Sequence, residues 1–332
     1  MPAIDPVDLV NAILDAFQDS GASGIIISSV RQHPRRFVVE TEAGGIEVWV
    51  YAWTLTHGGR SNLPNEYRIQ MTTVTSPLSL NPKGYTMLLG YEPDTKMFAG
   101  FDLTRHRTFT TGSPSVQIDI TCIHKALQDG LAFDRKNNQE IAIGIRPDQM
   151  LNYMANAEDL HRLGRNATMY GLLAKASALE RMTQREVTNL TPKHQRILST
   201  VNRWARSASF RQQVLTAYSS RCSVTRMQLR LVDAAHILPV EADETTDDVR
   251  NGIALSPTYH RAFDGGLIYL DGDYLMKINP ERELQLVTLN LDGGINDFKR
   301  YLGNRIHLPQ DRRQWPDLAM IRRANKYRRI PQ

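Results

Sequence analysis

The chain has 332 residues, with 40 Lys and Arg against 35 Asp and Glu for a formal net charge of +5. Its 41% hydrophobic and 23% charged residues exclude a disordered chain. No apolar run reaches the roughly eighteen residues a membrane helix needs.

The length suits two cores rather than one. The start, MPAIDPVDLVNAIL, lacks the basic leader, apolar stretch and small-residue cleavage site of a secretory signal. The two cysteines, Cys122 and Cys222, are far apart and outside any C-x-x-C pair. That argues against a disulfide framework or a cysteine-built zinc knuckle, and for a reducing, cytoplasmic setting.

In chain order, PVDLVNAILDAFQDSG places Val7, Leu9, Val10, Ile13, Leu14 and Phe17 at helical spacing and closes at Gly21. Short β-rich runs follow: GIIISSV, RRFVVETEAGGIEVWVYAWTLTH with a hairpin signal at Gly44-Gly45, and EYRIQMTTV. YTMLLGYEPDTKMFAGFDL predicts two strands around the turn EPDTK. SPSVQIDITCIHKALQDG predicts a strand and then a helix closed by Gly130; EIAIGIRPDQMLNYMANAEDLHRLG predicts a strand, a turn at Arg146-Pro147 and a helix ending near Gly164. The expected organisation is α+β: a mixed α/β recognition domain over residues 1–165, a polar helical linker over 166–195, and a second domain over 196–332. A new helix is expected to start at Thr191-Pro192.

The second domain holds AAHILPVEADETTDDVRNGIALSPTYHRAFD, from Ala234 to Asp264. LRLVDAAHILPV predicts an apolar strand interrupted at Asp233 and His236. An acidic loop returns the chain to Asn251-Gly252 and a short strand. A Ser-Pro helix start then leads to His260 and Asp264. Positions i and i+4 share a helix face, so these two side chains can converge on one divalent cation. A neutral imidazole at His236 could deprotonate water beside a metal that stabilises phosphate charge.

Strand histidine, asparagine fifteen residues on and helix histidine nine residues later resemble an HNH nuclease of the ββα-metal family. More specifically, FRQQVLTAYSSRCSVT, AAHILPV and NGIALSPTYHRAFDGGLI together resemble the HNH module of bacterial restriction endonucleases, over about residues 205–275. The later YLGNRIHLP fits the same group. The resemblance implies that His236 is the general base, that Asn251 holds the base strand through backbone hydrogen bonds, and that His260 ligates the metal. Many relatives carry an Asp or His ligand immediately before the base, where this chain has Ala235. Asp264 is the first candidate to replace it and Asp233 the second. Mg2+ is the expected ion, with Mn2+ as a substitute.

Side chains suited to reading base edges or tracking phosphate gather in several loops. RQHPRR offers His33, Arg35 and Arg36; HGGRSNLPNEYRIQ offers Arg60, Asn62, Tyr67, Arg68 and Gln70; DLTRHRTF offers Arg105, His106 and Arg107. The carboxyl-terminal tail carries Arg312–Arg313, Arg322–Arg323 and Arg328–Arg329, with Trp315 and Tyr327 among them. EYRIQ, LLGYEP, FAGFDLTRH and SPSVQI are similar to amino-terminal domains joined to HNH modules in restriction enzymes. The resulting expectation is a metal-dependent restriction endonuclease acting on double-stranded DNA. It would work as a homodimer, alongside a cognate DNA methyltransferase. One alternative is a modification-dependent nuclease gripping an altered, extruded base between walls such as Trp49, Trp53 and Tyr67. Another is a DNA-binding regulator with a decayed site, which Ala235 keeps open.

Overall fold

A computed structural model describes residues 3–41, 44–110, 114–188 and 190–330. Its contacts divide the chain into two units, Met1–Ala208 and Ser209–Gln332. Among the described residues no helix is long and apolar enough to cross a membrane.

The first unit opens with helix α1 (Pro6–Asp19), whose Asp5 cap accepts from the amide of Val7 and whose buried face is Leu9, Val10, Ile13, Ala16 and Phe17. Then come β1 (Ser23–Ile26), β2 (Arg35–Thr41), β3 (Gly44–Thr54), β4 (Thr56–His57), β5 (Glu66–Gln70), β6 (Tyr85–Glu92) and β7 (Met97–Phe101). Helix α2 (Leu103–His106), β8 (Ser115–Asp119), α3 (Ile120–Asp129), β9 (Leu131–Arg135) and β10 (Ile141–Ile145) follow, and α4 (Met150–Gly164), α5 (Ala167–Ser177), α6 (Gln184–Thr188) and α7 (Pro192–Ala217) close the series. The main sheet has the order β1-β2-β3-β6-β7-β10-β9, beside a smaller sheet β4-β5-β8. Within the main sheet β3 and β6 run parallel, which forces the chain to cross over between them through β4 and β5. The central strands β7 and β10 are buried throughout, and their near-continuous apolar sequences MFAGF and IAIGI follow from cover on both faces.

Residues 166–195 do not stand apart as a linker. Asn166 caps α5, which buries Met169, Leu172, Leu173 and Ala176 in the first unit's core. Leu198 and Val201 of α7 join the same core, so the division falls later, after Ala208. Polar residues spread evenly through this segment masked four apolar positions that share one helical face.

The second unit holds the end of α7, then β11 (Asp233–His236), β12 (Gly252–Leu255), α8 (Pro257–Asp264), β13 (Ile268–Leu270), β14 (Met276–Ile278), α9 (Pro280–Thr288), α10 (Ile295–Lys299) and α11 (Leu318–Tyr327). Its core gathers Phe210, Val214, Cys222, Ile237, Ile253, Leu255, Tyr259, Phe263, Ile268 and Ile321. β11 is shorter than the apolar run suggested. Leu229 and Arg230 take φ of 46° and 54°, which no strand accommodates, and Pro239 follows too closely to extend the ladder. β11 and β12 pair antiparallel, with His236 opposite Gly252. Gly252 permits that closure. A Cβ built there would lie 2.2 Å from Cγ2 of Val214 and 3.1 Å from the Phe210 ring, so only hydrogen lets the strand meet α7.

Candidate functional site

The β11–β12 hairpin and α8 bring His236, Asn251 and His260 onto one local scaffold. α8 starts where the sequence suggested, with Ser256 as cap residue and Pro257 in the first helical position. Asn251 is fully buried. Its Oδ1 accepts from the Leu238 amide at 2.9 Å, while Nδ2 donates to Leu238 O at 3.2 Å and to Thr246 O at 2.9 Å. One amide side chain thus ties the strand leaving His236 to the acidic loop that returns it.

His236 stacks on Phe210, with ring centroids 3.7 Å apart and planes within 10°. Its Nε2 lies 3.1 Å from Oδ1 of Asp247. A carboxylate at Nε2 selects the tautomer that donates from that nitrogen, leaving Nδ1 as the acceptor. Burial pulls the His236 pKa below its ordinary value, against the opposing pull of Asp247. The ring is therefore neutral near pH 7, the state a proton acceptor requires.

His260 lies between two carboxylates. Its Nδ1 is 3.5 Å from Oδ2 of Asp233, and its Nε2 is 3.3 Å from Oδ2 of Asp264. The hydrogen bond to Asp233 is the main reason the His260 pKa is raised, and the same bond lowers that of Asp233. Each acid also has an arginine nearby: Arg211 Nη1 is 3.7 Å from Asp233, and Arg328 Nη2 is 3.8 Å from Asp264. The Arg211 side chain is one-third exposed, whereas the Arg328 side chain is only 5% exposed.

The donor set of imidazole nitrogen and carboxylate oxygen suits a hard divalent cation. Among the described residues, however, no three His, Cys, Asp or Glu side chains form a closed cluster. The geometry explains this. The two acids sit at different ring nitrogens of His260, so one nitrogen can share an ion with only one of them. Ala235 is fully buried and supplies nothing, while Asp233, on the same strand, places a carboxylate at the helix histidine.

The side chains expected to meet DNA are scattered differently. Arg36 is exposed with its guanidinium 4.5 Å above Trp49, and Gln70 is exposed. Arg60 pairs with Glu66 at 2.9 Å, Arg105 donates to Asn138 O and Arg107 to Leu78 O. The Nε of Arg68 is buried without a hydrogen-bond partner. Arg322 is exposed, and Arg323 pairs with Glu244 at 2.7 Å. Arg35 does not fit the expectation of a surface residue. It is 3% exposed and donates to Val30 O and Ala52 O, because alternation along β2 turns it inward. The aromatic walls also part company: Trp49 is covered by Arg36, Trp53 stacks on His33 at 4.3 Å, and Tyr67 meets His57 edge-on.

Three site residues escaped the sequence reading. Asp247 is one of several acids in EADETTDD, and nothing in the sequence singles it out. Phe210 reads as an ordinary apolar helix residue, and Arg328 as one charge in a basic tail.

A two-stranded antiparallel hairpin and a helix, presenting a strand histidine, a locking asparagine and a helix histidine beside carboxylates, is the framework of a ββα-metal nuclease. Residues 222–271 match the HNH endonuclease family, a span that includes Asp233, His236, Asn251, His260 and Asp264. The second unit accordingly carries an HNH endonuclease module. Residues 46–154, in the first unit, match the methylase-associated X1 family. No curated protein matches the sequence. Among solved structures, a modification-dependent TagI restriction endonuclease aligns at 13% identity over 85% of this chain and 81% of that one, with a TM-score of 0.29. So loose a superposition does not define a shared architecture.

Proposed function

We propose that the chain is a restriction-type DNA endonuclease in which His236 is the general base. The observation that carries this is the His236 ring anchored at Nε2 by Asp247, on the same hairpin as the carboxylate that meets His260. Nδ1 of His236 takes a proton from water as the water oxygen attacks phosphorus and the bond to the 3′ oxygen breaks. Asn251 fixes the strand and Phe210 fixes the plane of the ring, so the acceptor lone pair has one direction.

A divalent cation, Mg2+ with Mn2+ as a substitute, would supply stabilisation of the charge on the phosphate and the leaving oxygen. His260 Nδ1 and Asp233 would hold it. This reverses the order expected from helical spacing. The buried guanidinium of Arg328 opposes a second positive charge at Asp264, while the more exposed Arg211 can leave Asp233. Arg36, Arg60, Arg68, Gln70, Arg105 and Arg107 supply the contacts of the first unit with double-stranded DNA, and Arg322 and Arg323 follow phosphate. A homodimer would place one such site on each strand, and a DNA methyltransferase would protect the host's own sites.

A second reading has the first unit demand a modified base. It is favoured by a cavity of about 410 Å3 lined by His33, Pro34, Tyr51, Thr73, Val74, Thr75 and Ser79. The His33 and Tyr51 rings there are parallel to within 2°. Flat ring faces beside hydroxyl groups suit an extruded base. Digestion of matched methylated and unmethylated phage DNA with Mg2+ and Mn2+ tests both readings. Cutting confined to unmethylated DNA supports the first and cutting confined to methylated DNA the second. No cutting of either substrate would overturn both.

A further inference from the structure

Arg328 follows directly on α11, and its guanidinium is built into the nuclease unit rather than offered to solvent. Cζ lies 4.5 Å over the Phe263 ring, and Nη1 donates to Ile237 O, next to His236, at 2.7 Å. Nε and Nη2 are buried and have no hydrogen-bond partner. Oδ1 of Asp264 lies 3.8 Å from Nη2, just beyond bonding distance. Those two N–H groups form the fork that a carboxylate fills bidentately. Asp264 is more than half exposed, so its carboxylate has room to close the gap of about an ångström that separates 3.8 Å from a hydrogen bond. Its other oxygen meanwhile sits 3.3 Å from Nε2 of His260.

We propose that Arg328 is a positioning residue of the nuclease site: it anchors Asp264, which accepts from Nε2 of His260 and so turns Nδ1 towards Asp233. The proposal rests on the metal-site reading above. A ligand histidine is commonly oriented by a carboxylate at its second nitrogen, and losing that support lowers metal affinity. Here the support has a further layer, carried by the last helix of the chain. The basic tail is therefore divided: Arg322 and Arg323 face solvent, whereas Arg328 belongs to the site's interior.

The test uses the full chain and four proteins: wild type, Arg328→Lys, Asp264→Asn and the double variant. Lysine keeps the charge and can still reach Ile237 O, yet it offers no fork. Mn2+ affinity is read by calorimetry without DNA, alongside the melting temperature and DNA affinity in chelator. Arg328→Lys is expected to weaken Mn2+ binding about tenfold, with DNA affinity in chelator within about twofold of wild type. Because the arginine acts through the aspartate, the double variant should bind Mn2+ no more weakly than Asp264→Asn alone. Unchanged Mn2+ affinity in Arg328→Lys, or losses that add in the double variant, would overturn the proposal. Should Arg328→Lys fail to fold, Asp264→Asn, at an exposed carboxylate, decides instead. A loss of about tenfold, against complete loss in Asp233→Asn, supports the relay; wild-type affinity, or loss as complete as in Asp233→Asn, sinks it. Failure of wild type to cut DNA would discredit the nuclease reading while leaving these metal affinities interpretable.

Discussion

A buried histidine of the first unit and two half-buried histidines of the second have surroundings that differ in kind. In the first unit His161 is 2% exposed; its Nδ1 donates to Ile141 O at 3.0 Å and its Nε2 accepts from the Tyr153 hydroxyl at 3.0 Å. Both nitrogens are spoken for by neutral partners, and burial pushes the pKa down to about 4. In the second unit His236 and His260 meet carboxylates, at 3.1 Å for His236 with Asp247 and at 3.3 and 3.5 Å for His260. Neutral partners on both nitrogens make a structural histidine. A carboxylate at one nitrogen of a neutral ring leaves the other available for chemistry.

The widest separation between the two kinds should appear on deletion. His236→Ala is expected to lower cleavage by at least about 100-fold while DNA binding and melting temperature stay near wild type, since a general base acts on water. A rate within about tenfold of wild type in single-turnover assays would remove His236 from that role.

Acid should expose the structural histidine next. The unfolded chain protonates His161 from about pH 6.5 downwards, whereas the folded first unit resists until about pH 4. Its contribution is thus fully present above pH 6.5 and is lost as pH falls towards 4, by about 3 kcal/mol in all. Urea melts of wild type and His161→Gln between pH 7 and 4 should show the shallower pH dependence in the variant. Parallel curves would mean that His161 does not set the acid limit.

Gly252→Ala probes the scaffold under the β11–β12 hairpin. Its methyl would collide with Val214, costing about 1–3 kcal/mol and shifting Phe210 from beneath His236. Circular dichroism melts should record the destabilisation, and a variant as stable as wild type would show that α7 gives way freely.

Asp247→Asn gives the smallest and sharpest comparison. Without the carboxylate that raises it, the His236 pKa should fall further, so the acid limb of the pH–rate profile moves to lower pH. The plateau rate should drop about tenfold as the imidazolium formed in the transition state loses its counter-charge. An acid limb that stays in place would assign it to another group.

The parts of this molecule that could be read from the chain alone are those whose partners are near in sequence. Asp233, His236, Asn251, His260 and Asp264 fall within one hairpin and one helix, so spacing alone carries their order. The strands of the first unit were legible by alternation, but not their neighbours, because β3 pairs with β6 across two intervening strands. Arg35 was misplaced since a guanidinium is ordinarily outside, and its backbone acceptors Val30 and Ala52 come from separate segments. Arg328 lies 91 residues from the carbonyl it holds, a separation that no local pattern encodes.

The Phe210 ring lying flat beneath His236 has a spectroscopic consequence. At 3.7 Å, aromatic ring current must carry the imidazole protons well upfield of the ordinary histidine region. Nine histidines would otherwise crowd that part of a proton spectrum. His236 should announce itself as an isolated resonance, whose movement with pH can be followed in the intact protein without isotopic editing of the other eight.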